Sequence, residues 1–229
     1  MTQGFFITFE GLEGAGKSTQ AEMLARRLEK EGYPVLLTRE PGGTPLGEAI
    51  RRILKDHRYE GMDELAEVFL FAAARRQHVE QVLRPSLAEG TVVICDRFCD
   101  ATLAYQGYGR GVHLTQVREI NEMCAWNLRP DLTFYLDIEP YQSMARVRER
   151  MLATDEAPDR LEKLDVGFFE RTREGYLEIA HEEPVRVRRL DATMSPDALH
   201  QKIVEITLRE LHRRMPHPQR LTLNLDDLT

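Results

Sequence analysis

A chain of 229 residues is long enough to bury one sizeable core and need be no more than one domain, read here as residues 1–212 with a tail over 213–229. Its 38 acidic side chains against 31 basic ones, net −7, exclude a surface dominated by nucleic-acid binding. Three cysteines without paired zinc spacing, no membrane-length apolar stretch and no signal-peptide pattern lead us to expect reduced, buried thiols in a cytoplasmic protein with no membrane partner.

The apolar run at residues 5–9 is followed by Gly11-Leu12-Glu13-Gly14-Ala15-Gly16-Lys17-Ser18 and then by a helical stripe of Ala21, Leu24, Ala25 and Leu28. A strand that delivers a glycine-rich loop to a helix N-terminus turns backbone N–H groups toward phosphate oxygens. Lys17 is then placed to reach the β- and γ-phosphates of a nucleoside triphosphate, with Ser18 on Mg2+. Gly32 and Pro34 end the helix ahead of a second strand at 35–37. Arg39-Glu40-Pro41-Gly42-Gly43 follows as a stiff charged turn, read either as an approachable binding turn or as a surface turn with an exposed Arg39-Glu40 ion pair, and Leu46, Ile50, Ile53 and Leu54 form the core face of the next helix with Arg51 beside them.

A longer helix carries Leu65, Val68, Phe69 and Ala72 toward the core, with Phe71 and Arg75 at i,i+4 on one face. That pair suits a nucleobase, stacked on the ring and hydrogen-bonded by the guanidinium, although a core phenylalanine beside an arginine stretching to solvent is the commoner use of it. Further strands at 91–95 and 132–136 are nearly continuous in apolar residues, as strands covered on both faces are. Each runs into an acid, Asp96 or Asp137, and both acids join the 39–43 loop as candidates for a crevice at the carboxyl ends of the strands. Asp96-Arg97 offers a carboxylate for Mg2+ and a guanidinium for a phosphate, or an ordinary salt-bridged strand end. Arg146, Arg148, Arg150 and Arg160 bracket a polar stretch at 151–159, read either as a lid supplying cations or as solvated helix ends. A last strand lies at 185–190. The alternation predicts an α/β fold, a five-stranded parallel sheet flanked by helices, with a mobile lid over about 146–162.

Together with Ala104-Tyr105-Gln106-Gly107, Arg129-Pro130-Asp131-Leu132, Asp159-Arg160-Leu161 and Asp191-Ala192, these segments make the chain similar to the bacterial thymidylate kinases, which have the P-loop kinase fold. The similarity runs to about residue 212. It implies transfer of the γ-phosphoryl of MgATP to dTMP, giving dTDP and ADP for dTTP synthesis, by a homodimer whose other partners are its small-molecule substrates. It places ATP on Gly11, Gly14, Ala15, Gly16, Lys17, Ser18 and Thr19, and Mg2+ near Ser18, Asp96 and Glu40. The acceptor nucleotide falls to Glu13, Arg39, Glu40, Arg51, Phe71, Arg75, Arg97, Thr102, Tyr105 and Gln106. Phe71 stacks on thymine, Arg75 and Gln106 hydrogen-bond it, and Tyr105 lies against the deoxyribose. Lys17, Glu13, Arg97 and a lid arginine, Arg148 or Arg150, are the catalytic set that the resemblance implies. Gly14 and Ala15 in the phosphate loop match family members whose basic residue sits in the lid. Phe98 stands where many relatives have tyrosine.

Two other functions fit the phosphate loop alone, a kinase for another nucleotide or nucleoside and a switch protein that hydrolyses ATP slowly. A nucleic-acid surface has neither the charge nor a basic run interleaved with aromatics.

Overall fold

Phe5–Glu10, the first strand (β1), is buried along its whole length because Phe5, Ile7 and Phe9 go to one side of the sheet while Phe6, Thr8 and Glu10 alternate with them. The computed structural model describes residues 4–154, 160 and 165–214. Within them β1 is joined by β2 (Val35–Arg39), β3 (Val92–Asp96), β4 (Leu132–Asp137) and β5 (Val187–Asp191). All pairings are parallel, in the order β2-β3-β1-β4-β5, which puts β1 at the centre. The chain leaves β1 for β2 on one side and later crosses to β4 on the other. The loop after β1 therefore opens at the switch point of the sheet, the place where parallel α/β folds gather ligands.

Helices α1 (Lys17–Lys30), α2 (Pro45–Lys55), α3 (Glu64–His78), α4 (Arg84–Ala88), α5 (Cys99–Thr102), α6 (Leu114–Ala125), α7 (Pro140–Thr154), α8 (Val166–Glu182) and α9 (Pro196–Arg214) make the connections. Their ends are capped as the side chains dictate. Thr44 accepts from Gly47 N ahead of α2, Asp63 from Leu65 and Ala66 N ahead of α3, and Asp165 from Phe168 N ahead of α8. Residues 79–83 and 103–109 are wound more widely than an α-helix, and the second of these segments carries Tyr105 and Gln106. The main core joins Phe5, Ile7 and Phe9 to Ala21, Leu24, Ala25 and Leu28 of α1, the stripe expected from the sequence.

Four local expectations are corrected. Leu46 and Ile53 of α2 are 48% and 38% exposed, so of the four expected core positions only Ile50 and Leu54 are buried, on a narrower face. Phe69 of α3 is 53% exposed, because Val68 and Ala72 face inward and Phe69 is turned away from them. The last strand begins at Val187 rather than residue 185, since Arg186 and Val187 donate to Glu183 O in a turn. Asp137 does not join the crevice at the strand ends: its carboxylate accepts from Arg173, Arg189 and the Tyr135 hydroxyl, an internal ion-pair cluster. α9 continues through Arg214, and residues 215–229 lie outside the described residues. So do residues 155–159 and 161–162 of the expected lid, while 146–154 belong to α7. Cys95 and Cys124 are buried, Cys99 is partly so, and all three are free thiols. No helix among the described residues is long and apolar enough to cross a membrane.

Candidate active site

The loop from β1 to α1 can follow its path only with glycine at its turns. Gly11 has φ 137° and a Cβ there would stand 2.4 Å from Leu136 O, while Gly16 at φ 90° meets nothing and leaves open space at the N-terminus of α1. Lys17, the first residue of α1, is nearly buried and curls back so that Nζ donates to Leu12 O at 2.8 Å. Burial and the nearby Arg97 push its pKa down. The ammonium is thus held inside the loop under electrostatic stress that an incoming polyanion relieves. Ser18 Oγ donates to Asp96 Oδ2, joining the start of α1 to the end of β3. The second oxygen, Asp96 Oδ1, is buried without a partner.

Asp96 is followed by Arg97, which takes a left-handed backbone (φ 72°) that a side chain normally avoids. The turn aims its guanidinium across the site: Nη2 donates to Glu13 Oε1 at 2.7 Å and to Tyr105 Oη at 3.0 Å, and Nη1 to Tyr176 Oη at 3.2 Å. Its carbon lies 4.7 Å from the centre of the Tyr105 ring. Burial alone lifts a carboxyl such as Glu13, but Arg97, Lys17 and Arg150 together hold it far below the usual carboxylate range. The left-handed turn costs about 1–2 kcal/mol for a residue with a Cβ. Arg97→Gly is accordingly expected to be more stable than Arg97→Ala by about 1 kcal/mol. Urea unfolding of the two variants decides it, and an alanine variant as stable as the glycine one contradicts the strain.

Behind Arg97 lies Glu10, fully buried, accepting from Phe98 N at 2.7 Å and from Tyr176 Oη at 2.8 Å. Burial first, and the negative charge of Asp100 second, push its pKa up to about 8. The folded protein therefore holds a proton on Glu10 between about pH 4.5 and 8 that the unfolded chain has released. This contribution to stability is complete below pH 4.5 and is lost as pH rises through 8. Glu10→Gln fixes the neutral shape, so its stability relative to the parent is expected to rise from pH 5 to pH 9. A difference that stays constant in urea unfolding at pH 5, 7 and 9 rules this out.

A cavity of about 590 Å3 runs from Lys17 and Ser18 past Asp96 and Arg97 to Phe71, Arg75, Tyr105 and Gln106. Glu13, Arg39, Glu40, Arg51, Thr102 and Arg150 also line it. Arg148, its alternative in the sequence, is exposed on α7 and lies outside this lining, two residues around the helix from Arg150. Arg39 is paired with Glu48 (3.0 Å) and Arg51 donates to Pro41 O (3.2 Å) at the rim. Gly11, Gly14, Ala15, Gly16 and Thr19 form the loop and first helical turn beside the cavity without lining it.

Arg75 is the most confined of these side chains, 2% exposed. Nε donates to Glu40 Oε2 at 2.7 Å, Nη1 to Asn121 Oδ1 at 2.7 Å, and Nη2 to both Phe98 O and Thr102 Oγ1 at 3.0 Å. Four of its five N–H donors are thus committed to oxygens of the protein, and the Cys124 thiol lies against the same guanidinium. Glu40, expected beside Mg2+, is taken up differently. Its other oxygen is 3.0 Å from His78 Nδ1, so both oxygens are occupied in orienting α3 against β2, and the exposed-ion-pair reading of Arg39-Glu40 does not hold for Glu40. Sequence reasoning missed His78, Asn121, Tyr176 and Glu67. His78 and Glu67 had a signal, lying three residues after and eight before Arg75 on the same helix; Asn121 and Tyr176 come from distant helices and had none.

The family model described as thymidylate kinase matches residues 9–203. The chain belongs to the thymidylate kinase family. It is 46% identical over 200 residues to the thymidylate kinase of Syntrophotalea carbinolica, covering 87% of this chain and 93% of that one. It is 45% identical over 213 residues to that of Synechococcus sp. (strain JA-3-3Ab), covering 93% and 100%. The crystal structure of thymidylate kinase from Ehrlichia chaffeensis superposes with a TM-score of 0.70 at 33% identity, covering 90% of this chain and 99% of that one. The fold is that of the thymidylate kinases, a five-stranded parallel sheet flanked by helices.

Proposed function

We propose that this chain is a dTMP kinase that moves the γ-phosphoryl of ATP to the 5′-phosphate of dTMP, releasing ADP and dTDP. One observation carries the reading: a single cavity joins a phosphate loop to an aromatic ring, a buried guanidinium and a buried amide. The loop amides and Lys17 hold the donor phosphates, and Arg97, Arg39 and Arg51 hold the acceptor phosphate. An acceptor phosphate oxygen then attacks the γ-phosphorus as the bond to the β-phosphate oxygen breaks. Two polyanions repel each other, so the catalytic task is positioning and neutralisation, with no strong base required. Glu13 fixes Arg97, and Arg150 is the cation nearest in role to the lid arginine of the family. Phe71 stacks on thymine, Gln106 and Arg75 read its edge, and Tyr105, anchored on Arg97, packs against the sugar where a 2′-hydroxyl has no room.

The residues present suit Mg2+, which takes one or two carboxylates and completes its shell with water and phosphate oxygens. Asp96, with Oδ1 buried and unpartnered, and Ser18 would hold it; bound there, it neutralises charge on the β- and γ-phosphates. Glu40 is left out of that set. We further propose one catalytic domain over residues 1–212 with a lid over about 146–162 and a tail after it, acting as a cytoplasmic homodimer. The exposed Phe69, Met123 and Trp126 supply apolar surface of the kind an interface uses.

ADP and dTDP measured together, with MgATP and with or without dTMP, test the reaction. Equimolar products that need dTMP are expected, and ADP formed equally without it makes the protein a hydrolysing switch instead. Asp96→Asn is expected to raise the Mg2+ needed for half-maximal rate by about tenfold or more while KM for dTMP moves less than twofold. An unchanged Mg2+ requirement removes Asp96 from the metal.

A further inference from the structure

Glu67 lies on α3 one helical turn before Phe71 and two before Arg75, so all three share a face of that helix. It is buried at 1% exposure, yet it does not line the cavity; it stands behind Gln106, which does. Its carboxylate is ringed by donors. Oε2 accepts from Arg160 Nη2 at 2.5 Å and Arg110 Nη2 at 3.3 Å, and Oε1 from Gln106 Nε2 at 2.9 Å and Arg110 Nε at 3.4 Å. Arg160 is itself fixed, its Nε donating to Leu54 O at 2.9 Å. A carboxylate gripped by two guanidinium groups accepts hydrogen bonds and gives none. The orientation of a glutamine amide is decided by its partners, and here the partner admits only the NH2 end.

We propose that Glu67 is a positioning residue that sets the base selectivity of this site by dictating which end of the Gln106 amide meets the acceptor. The inference rests on the reading of Gln106 as base-facing given above. With Nε2 tied to Glu67, the carbonyl Oε1 is the end left for the cavity. A carbonyl accepts from a pyrimidine that carries a hydrogen on N3, as thymine and uracil do. Cytosine has a lone pair at N3, so the same carbonyl opposes it and leaves two buried acceptors face to face. Selectivity at the ring edge is therefore fixed one layer behind the residue that touches the base.

Glu67→Gln tests this by exchanging one heavy atom, oxygen for nitrogen. The two guanidinium groups claim the carbonyl of the new glutamine, its NH2 turns to Gln106, and the Gln106 amide flips to present Nε2 to the base. The ratio of kcat/KM for dTMP to that for dCMP is expected to fall at least tenfold, through a higher KM for dTMP, while KM for ATP changes less than twofold. Glu67→Ala, which leaves the amide without a set orientation, is expected to lower the ratio about threefold or more. Both acceptors are measured on one preparation, so the folded fraction cancels and a purely structural role does not move the ratio. Parent-like ratios in both variants overturn the proposal even if rate or stability has dropped. If the parent protein itself shows no preference for dTMP, the functional reading fails first, and the two failures are told apart on the unmutated enzyme.

Discussion

Lys17→Ala is expected to lose about 100- to 1,000-fold in the rate of dTDP formation without losing stability, the scale of removing one preorganised donor from a site of developing charge. The unusual part is the second clause. Lys17 is buried with a lowered pKa, so the folded protein holds its charge at a disadvantage. Its hydrogen bond to Leu12 O does not remove that disadvantage. Truncation should leave the melting temperature level or slightly raised, the usual trade between a stressed site and a relaxed fold. Thermal unfolding without nucleotide and steady-state rates with MgATP and dTMP check both halves. A variant that unfolds, or one with full activity, contradicts the role.

Arg75→Ala is expected to cost about 3–5 kcal/mol of stability, because it strands the Glu40 carboxylate in the interior with only His78 beside it. It should also raise KM for dTMP by about one to two orders of magnitude, and more than KM for ATP, because an edge-reading donor and the support of Thr102 are both lost. The two effects are separable. Adding Glu40→Gln to Arg75→Ala removes the stranded charge, so the double variant should recover stability while KM for dTMP stays high. Urea unfolding and initial rates with each substrate varied in turn give the four numbers needed. Recovery of KM along with stability places Arg75 in the scaffold alone, and equal rises in both KM values take it out of the base pocket.

These predictions turn on contacts that the linear chain reveals unevenly. The strands were legible because a parallel strand covered on both faces has to be apolar at almost every position, as residues 92–95 and 132–136 are. The phosphate loop was legible because its glycines are forced by backbone geometry within eight residues. Helix faces were less so. Leu46, Ile53 and Phe69 fit an apolar stripe by spacing, yet each lies on surface, since spacing gives a helix face but not how wide a strip its neighbours cover. The polar partners were the least legible. Glu40 meets Arg75 and His78 across 35 and 38 residues, Asp96 meets Ser18 across 78, and Glu10 meets Tyr176 across 166. Each pairing joins an acid at a strand end to a residue on a helix, a matter of how the helices pack on the sheet that no local pattern records. That is why Asp137, a strand-end acid like Asp96, was read into the crevice, although its carboxylate is held by Tyr135, Arg173 and Arg189.

The central claim is that the cavity selects a thymine deoxynucleotide as phosphoryl acceptor. Chromatographic product analysis tests it most directly, with the purified protein and MgATP given dTMP, dUMP, ribose TMP, dCMP, AMP or GMP separately. Dominant formation of dTDP, with weak turnover of the ribose analogue and of dCMP, is expected. Conversion of another monophosphate in preference to dTMP would contradict it.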